Sequence, residues 1–367
     1  MKVNTISLNS VRLNTIALNH IGEIRSGGGA SKPSPIPQWI REHVVFYYDV
    51  KKQGATNETL KESAYLQDLS GKGRRMKLNN FLFAEMSGVG GYNDNFSNWK
   101  SDSNNGVVKI ESDSSIVIQS VKIEYRGVLY QDSTKKTTLK CNITGITEEL
   151  KGKLIFRYTD AEGGKNITLE NGYFEFNSSE YEGLSGWYGF TSKQPIDNCN
   201  ITITQIPEYP GALVTDGVDD YGLVENLSSG VKMLFMTVNP IGDYNSRKDY
   251  YSQIKKYGDD FRVIAYPNDI AYNHENPNNV TYINGVLNKS IYPEELFDIK
   301  HTFTIVNNAV PLSEDRTCVF FRYNLGGDYY SRIAFYNSIA FDSIPTEADG
   351  FTEQELIDYV LTNIIGQ

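Results

Sequence analysis

The stretch GALVTDGVDDYG, residues 211–222, sets Asp216, Asp219 and Asp220 within five positions around Gly217. Carboxylates this close can do one of three things. They can gather around Ca²⁺, a hard cation that takes roughly six to eight oxygen ligands. They can act as an acid and base pair, which requires two carboxyls flanking a substrate at roughly 5–9 Å with their pKa values driven apart. Or they can hold a turn, since Gly accepts positive φ and an Asp side chain bonds nearby backbone. Leu213 and Val214 lead in and Val218, Tyr221 and Leu223 lead out, so the expected element is a hairpin with the charges at its tip. Strand alternation then sends Asp219 and Asp220 to opposite faces. That disfavours catalysis and leaves a turn as the main reading, with Ca²⁺ the only cofactor in view.

Other residue types add little chemistry. The histidines His20, His43, His274 and His301 are scattered, without a metal-ligand or Ser/His/Asp spacing. SGVGGY, residues 87–92, lacks the Lys and following helix of a phosphate-binding loop and reads as an ordinary loop. Cys141, Cys199 and Cys318 are an odd number, far apart, and read as buried thiols. Aromatic faces that could stack on sugar C–H surfaces occur in SSEYEGLSGWYGF, with Tyr181, Trp187 and Tyr188, and in GDYNSRKDYYSQ, with Tyr244, Tyr250 and Tyr251. The alternative for any one of these rings is core packing, given 25 tyrosines in the chain.

These candidates need elements to position them, and the composition points to strands. Aromatics make up 12% and charged residues 22% of 367 residues, enough for two or three domains with ordered β structure. A net charge of -10 without a basic stripe argues against nucleic acid. No apolar run approaches the roughly 18 residues of a membrane span, and no export signal is recognised, so a soluble product of the cytoplasm is expected, without membrane insertion.

The N-terminus, ISLNSVRLNTIALNH, repeats every five residues: Ile6, Val11 and Ile16 each stand two before Leu8, Leu13 and Leu18, and each Leu precedes Asn. A helix would rotate this pair by 140° net per unit, so no helical face collects it. A strand would swap faces at each odd repeat. Three such units cannot bury their own apolar surface, so residues 1–25 read as a docking segment. Residues 26–38, rich in Gly, Ser and Pro, read as a tether.

From Trp39 the pattern is β. HVVFYYDV is a dense strand, and DLSGKGRRMKLNNF a turn entering a short strand. Residues 95–210 alternate in strand-length segments bounded by Gly, Asn or Asp, the pattern of a separate β-sandwich. Strands resume from 211, and the chain closes on one amphipathic helix, with a capping box at Thr352 and Glu355 and with Leu356, Val360 and Ile364 on one face.

A resemblance follows from these stretches. DGVDDY is similar to the strand signature of laminin-G-like, concanavalin A-type jelly rolls. TYINGVLNKS resembles their Asn-Gly hairpin, and FRYNLGGDYYSRIAFYNSIAF their closing strands. VFYYDV with Asp68, Ser70, Gly71 and Gly73 resembles the first strand and turn, more than 130 residues upstream of DGVDDY. This implies an all-β lectin-like jelly roll (39–94 and 211–367) with a second sandwich (95–210) inserted. Related glucanases carry Glu-x-Asp-x-x-Glu on one strand. Glu347, Asp349 and Glu353 have one residue too many and straddle a helix start, so no enzyme is expected.

With the LNTIxLN segment, the whole resembles structural proteins of phages and prophages of Bacteroides-type bacteria. The resemblance implies a virion protein, a tail or head fibre or tail-associated adhesin, made in the host cytoplasm. It would dock to other virion proteins through its N-terminus, as a homo-oligomer, a trimer among the options, and present β domains to a host glycan or receptor. The alternatives are a bacterial cell-surface carbohydrate-binding protein and a glycan hydrolase.

Overall fold

Strand Met233–Pro240, MLFMTVNP, is apolar along almost its whole length because both faces are covered. Leu234, Met236 and Val238 point into one core while Met233 and Phe235 point into another. Its neighbour Ile333–Phe341 is divided the same way, with Ile333, Phe335 and Ala340 on one side and Ile339 and Phe341 on the other. The structure, a computed structural model, describes residues 35–227, 230–242, 248–250, 252–255, 263–265, 279–287, 298–307, 316–323 and 329–366.

The chain divides into two units. Residues 35–83, Ser87–Val89 and 211–366 form the first; Ala84–Met86 and Gly90–Pro210 form the second. In the first, an eight-stranded antiparallel sheet has Met233–Pro240 and Ile333–Phe341 at its centre. His301–Asn307, Asn279–Ile283 and Val286–Leu287 continue it on one side. On the other, Ile333–Phe341 pairs with Val44–Asp49 and with Leu213–Val214, which pairs in turn with Gly88–Val89. A five-stranded sheet runs Ser252–Lys255, Arg316–Phe320, Tyr221–Leu227, Met76–Asn79 and Tyr65–Leu66. The two sheets share a core that includes Phe46, Leu78, Val224, Cys318, Phe320 and Phe335.

The opposite face of the large sheet carries helices. Pro35–His43 begins with Pro, whose missing N–H costs nothing in a first turn, and buries Trp39 and Ile40. At the other terminus the capping box expected at Thr352 forms. Its hydroxyl accepts from Glu355 N at 3.2 Å, and the Glu355 carboxylate accepts from Thr352 N at 2.7 Å. The helix Glu353–Tyr359 continues as a π-helical turn, Val360–Ile365, and Leu356, Val360 and Ile364 pack on the sheet. A third helix, Asn57–Ser63, is capped by Thr56 and buries only Leu60.

Among its described residues the unit is therefore β with three α-helices, where the sequence suggested one. The helix at Pro35–His43 also replaces the last residues assigned to the tether at 26–38. The docking residues Ile6, Leu8, Val11, Leu13, Ile16 and Leu18 lie outside the described residues.

Turn chemistry fixes the register at two places. Asn284 and Gly285, both at positive φ (52° and 82°), join strands that pair as Tyr282 with Leu287 and Ile283 with Val286, a two-residue hairpin of type I′. Asp68 accepts from Tyr47 N at 3.0 Å, Ser70 N at 2.9 Å and Arg74 N at 3.0 Å. Its loop thereby occupies the edge of Val44–Asp49 that faces away from Ile333–Phe341.

The second unit is a sandwich of two five-stranded antiparallel sheets. One runs Gly163–Thr168, Leu154–Asp160, Trp187–Ser192, Leu129–Asp132, Lys100–Ser101. The other runs Gly172–Asn177, Thr138–Thr144, Ile201–Gln205, Ser115–Val121, Gly106–Ser112. Alternation along the strands puts Ile201, Ile203, Phe174 and Phe176 inward. The core is aromatic at its centre, where Phe156 meets Phe176 at 4.7 Å and Phe190 at 5.2 Å between ring centroids. The three cysteines are free and buried.

Phe235 lies at 0% exposure under the helices. Phe235→Ala should therefore cost about 3–5 kcal/mol in urea denaturation, whereas Thr352→Ala, which removes only a cap, should cost about 1 kcal/mol.

Candidate functional site

The acidic turn is built from the strand ends on either side of it. Thr215 anchors its start: its N–H donates to Ile333 O at 2.9 Å, and its hydroxyl donates to Ser331 O at 2.6 Å and accepts from Ile333 N at 2.9 Å. Asp216 Oδ1 then accepts from Val218 N at 2.7 Å, closing a local Asp turn in which Gly217 takes φ of 76°. A side chain at 217 would meet Arg332 Cβ at 2.8 Å, a second reason for glycine there.

This turn is not the tip of a hairpin. Leu213–Val214 belongs to the eight-stranded sheet and Tyr221–Leu227 to the five-stranded one, so the segment crosses from one sheet to the other. Nor do the acids diverge, because 217–219 is a bend rather than a strand. The carboxylates of Asp216, Asp219 and Asp220 place ligand atoms within 4.8 Å of one another.

Asp220 is the centre of the arrangement. It is fully buried, with Oδ1 accepting from Ser87 Oγ at 3.0 Å and Oδ2 from Asp216 N at 2.9 Å. Ser87 Oγ also accepts from Leu82 N at 2.9 Å, and Asn80 Nδ2 donates to Asp219 O at 3.1 Å. Burial, with some repulsion from Asp216 and Asp219, pushes the Asp220 carboxyl up to about 7 against its own hydrogen bonds. Sequence reasoning did not single out Ser87. It sits in the glycine-rich run read as a loop, where Gly88–Val89 is in fact a strand.

These donors already fill much of what a cation would use. Asp216 Oδ1 and both oxygens of Asp220 each accept a hydrogen bond, and Asp219 alone offers an exposed carboxylate. Against a demand of roughly six to eight oxygens, the three side chains fit Ca²⁺ incompletely. What the geometry does directly is clasp Ser87 and the start of Gly88–Val89 to the crossing segment.

The aromatic candidates separate. Tyr188 is at 0% exposure in the sandwich core, its hydroxyl donating to Lys135 O at 2.9 Å, so it has no face to offer a ligand. The alternation of WYGF explains this: Tyr188 and Phe190 point inward. Tyr181 is half-buried, stacked on Phe176 at 5.3 Å and packed against Tyr158 at 4.5 Å, a core-edge role. Trp187 points the other way, half-exposed, edge-on to Tyr130 at 5.7 Å. Tyr244, Tyr251 and the side chain of Tyr250 lie outside the described residues.

Of the acids compared with a glucanase signature, Asp349 caps its own turn by accepting from Thr346 N at 2.7 Å, and Glu353 accepts from Tyr282 OH at 2.6 Å. Both roles are structural. No described helix is long and apolar enough to cross a membrane.

In comparisons with known proteins, the chain matches no family model, no curated protein and no solved structure.

The Asp220 carboxyl binds its proton more tightly in the folded chain, at about 7, than at its ordinary 3.8. Its contribution to stability is therefore complete below about pH 4 and is lost as pH rises through 7. Thermal melts in a chelating buffer should show the wild type losing stability relative to Asp220→Asn across this window. The difference should level off above about pH 8, with a ceiling of about 4 kcal/mol.

Proposed function

We propose that the protein is a structural component of a phage virion, a tail or head fibre or tail-associated adhesin. On this reading the larger unit is a concanavalin A-like jelly roll that carries the second sandwich as an insertion. The chain attaches to the particle through residues 1–25 and displays its β units toward the host surface. The observation that carries the reading is the pentad strip of Ile6, Leu8, Val11, Leu13, Ile16 and Leu18, each Leu followed by Asn. It precedes a body whose described residues form β units with their own cores. Such a strip exposes apolar side chains on both faces unless a larger assembly covers them.

Three features of the body support the lectin-like part of the reading. The hairpin at Asn284–Gly285, the Asp68 turn beside the first strand and the acidic crossing at 216–220 are the stretches on which the resemblance rests. Their roles are in backbone geometry. A half-exposed Trp187 gives the sandwich a stacking surface for glycans. Calcium at the acidic turn is a secondary proposal, with Asp219 as the ligand least engaged by the protein. On this proposal millimolar Ca²⁺ raises the melting temperature of the wild type and leaves Asp219→Asn unchanged.

The attachment reading is tested by deleting residues 2–25 and producing phage from the altered genome. The expected result is a folded protein absent from purified particles. Intact virions containing the shortened protein at wild-type copy number would contradict it. A shortened protein that assembles normally but loses host adsorption would place recognition, not docking, in that segment.

A further inference from the structure

One sheet of the sandwich presents an ordered row of side chains to solvent. Cross-strand register aligns Lys100, Tyr130, Gly189, Arg157 and Asn166, one from each of five adjacent strands. They face outward, because the next residues along the strands (Leu129, Phe190, Phe156) are in the core. Gly189 has no side chain, and a Cβ there would meet Leu129 O at 2.3 Å and Tyr130 Cβ at 2.7 Å. Nothing bulky therefore separates Tyr130 from Arg157.

The row is extended on both sides by rings. Trp187 meets Tyr130 edge-on at 5.7 Å, and the Arg157 guanidinium lies over the Tyr125 ring at 5.3 Å, with Tyr125 39% exposed. The polar ends of these groups are not consumed internally. Among the described residues, the Trp187 indole N–H and the Tyr125 and Tyr130 hydroxyls have no hydrogen-bond partner, and Arg157 donates only to Asn166 Oδ1 at 2.9 Å.

Charge decides what such a surface prefers. Three acids of this sheet have partners of their own: Asp132 accepts from Thr134 N at 3.0 Å and Thr134 Oγ1 at 2.9 Å, Asp160 accepts from Glu162 N at 2.9 Å, and Glu162 pairs with Lys165 at 2.6 Å. Arg157 has no carboxylate within ion-pair distance among the described residues, and Lys100 reaches Asp132 only at 3.9 Å. A planar guanidinium held over a ring, free of a carboxylate, is suited to a bidentate anion. The adjoining aromatic faces suit the C–H surface of a pyranose.

We infer that the outer face carrying Trp187, Tyr130, Tyr125 and Arg157 binds an oligosaccharide bearing a carboxylated sugar, the carboxylate on Arg157 and a neighbouring ring on Trp187. This rests on the display reading above and names its ligand class. It is independent of how the chain attaches to a particle, because it is measured on the purified protein.

The probes are immobilised uronic- and sialic-acid oligosaccharides beside their methyl-esterified and neutral counterparts, with the full chain in solution. The expected result is retention on at least one carboxylated series and at least tenfold weaker retention on its ester. Arg157→Gln should remove that preference while keeping weak binding, and Trp187→Ala should weaken both forms at least tenfold. Tyr173→Ala, on the other sheet and 63% exposed, should change nothing. Melting curves establish that each variant is folded, and Trp187→Phe, which keeps a ring, should retain most binding should the alanine variant unfold. Retention unaffected by Arg157→Gln and by both Trp187 variants, equal retention of ester and acid, or no retention on any carboxylated series would overturn the inference. None of these results bears on whether residues 2–25 are needed for incorporation.

Discussion

Burial of the eight-stranded sheet on both faces is the constraint from which the rest of the larger unit follows. One face meets the five-stranded sheet and the other meets the terminal helices. Met233–Pro240 and Ile333–Phe341 are therefore buried along almost their whole length, with apolar side chains toward both faces rather than one. Because the helix Pro35–His43 and the C-terminal helix close over one face, this sheet has little surface left there for a ligand. Polar groups on that side are used to hold the helical cover. Tyr47 OH donates to Ile364 O at 3.3 Å, and Lys52 Nζ donates to the same carbonyl at the helix end.

The sandwich is organised differently. Its two sheets share one core, so strands such as Ile201–Gln205 and Gly172–Asn177 alternate between buried and solvent-facing positions. Outward positions are free to vary in chemistry without cost to the core. On one sheet they align two rings and a guanidinium across adjacent strands. Recognition placed there leaves the architecture untouched, which is why stacking groups and an unpaired cation can persist at the surface.

How much of this was legible in the sequence depended on whether the determining contacts were local. The capping box at Thr352 and Glu355, the Asn284–Gly285 hairpin and the turn around Asp68 are set by residues close in the chain, and all were readable. The helix Pro35–His43 was hidden by its Pro-rich start and by having only one turn of buried residues, Trp39 and Ile40, after it. The helix Asn57–Ser63 buries only Leu60 and offers no apolar period at all. At the acidic turn the residue types were readable but the topology was not. An Asp-Gly turn looks alike whether its flanking strands pair with each other or enter different sheets, and only the partners Phe335 and Phe320 decide it. Trp187 and Tyr188 are neighbours in sequence, yet one faces solvent and the other is fully buried. Tyr125, Tyr130 and Arg157 carry no signal in the sequence, because nothing in a single chain announces which strands will lie side by side.

The acidic turn and the ring-bearing face thus illustrate two uses of polar chemistry in one molecule. At Asp220 a buried carboxylate is spent on joining backbone segments; at Arg157 a cation is left available. The most direct test of the account is amide hydrogen exchange on the whole protein with and without a carboxylated oligosaccharide. Slower exchange confined to residues 125–132, 154–168 and 187–191 is the predicted result. Protection appearing instead in the strands of the larger unit, or in Gly172–Asn177 of the opposite sheet with those three segments unchanged, would contradict it.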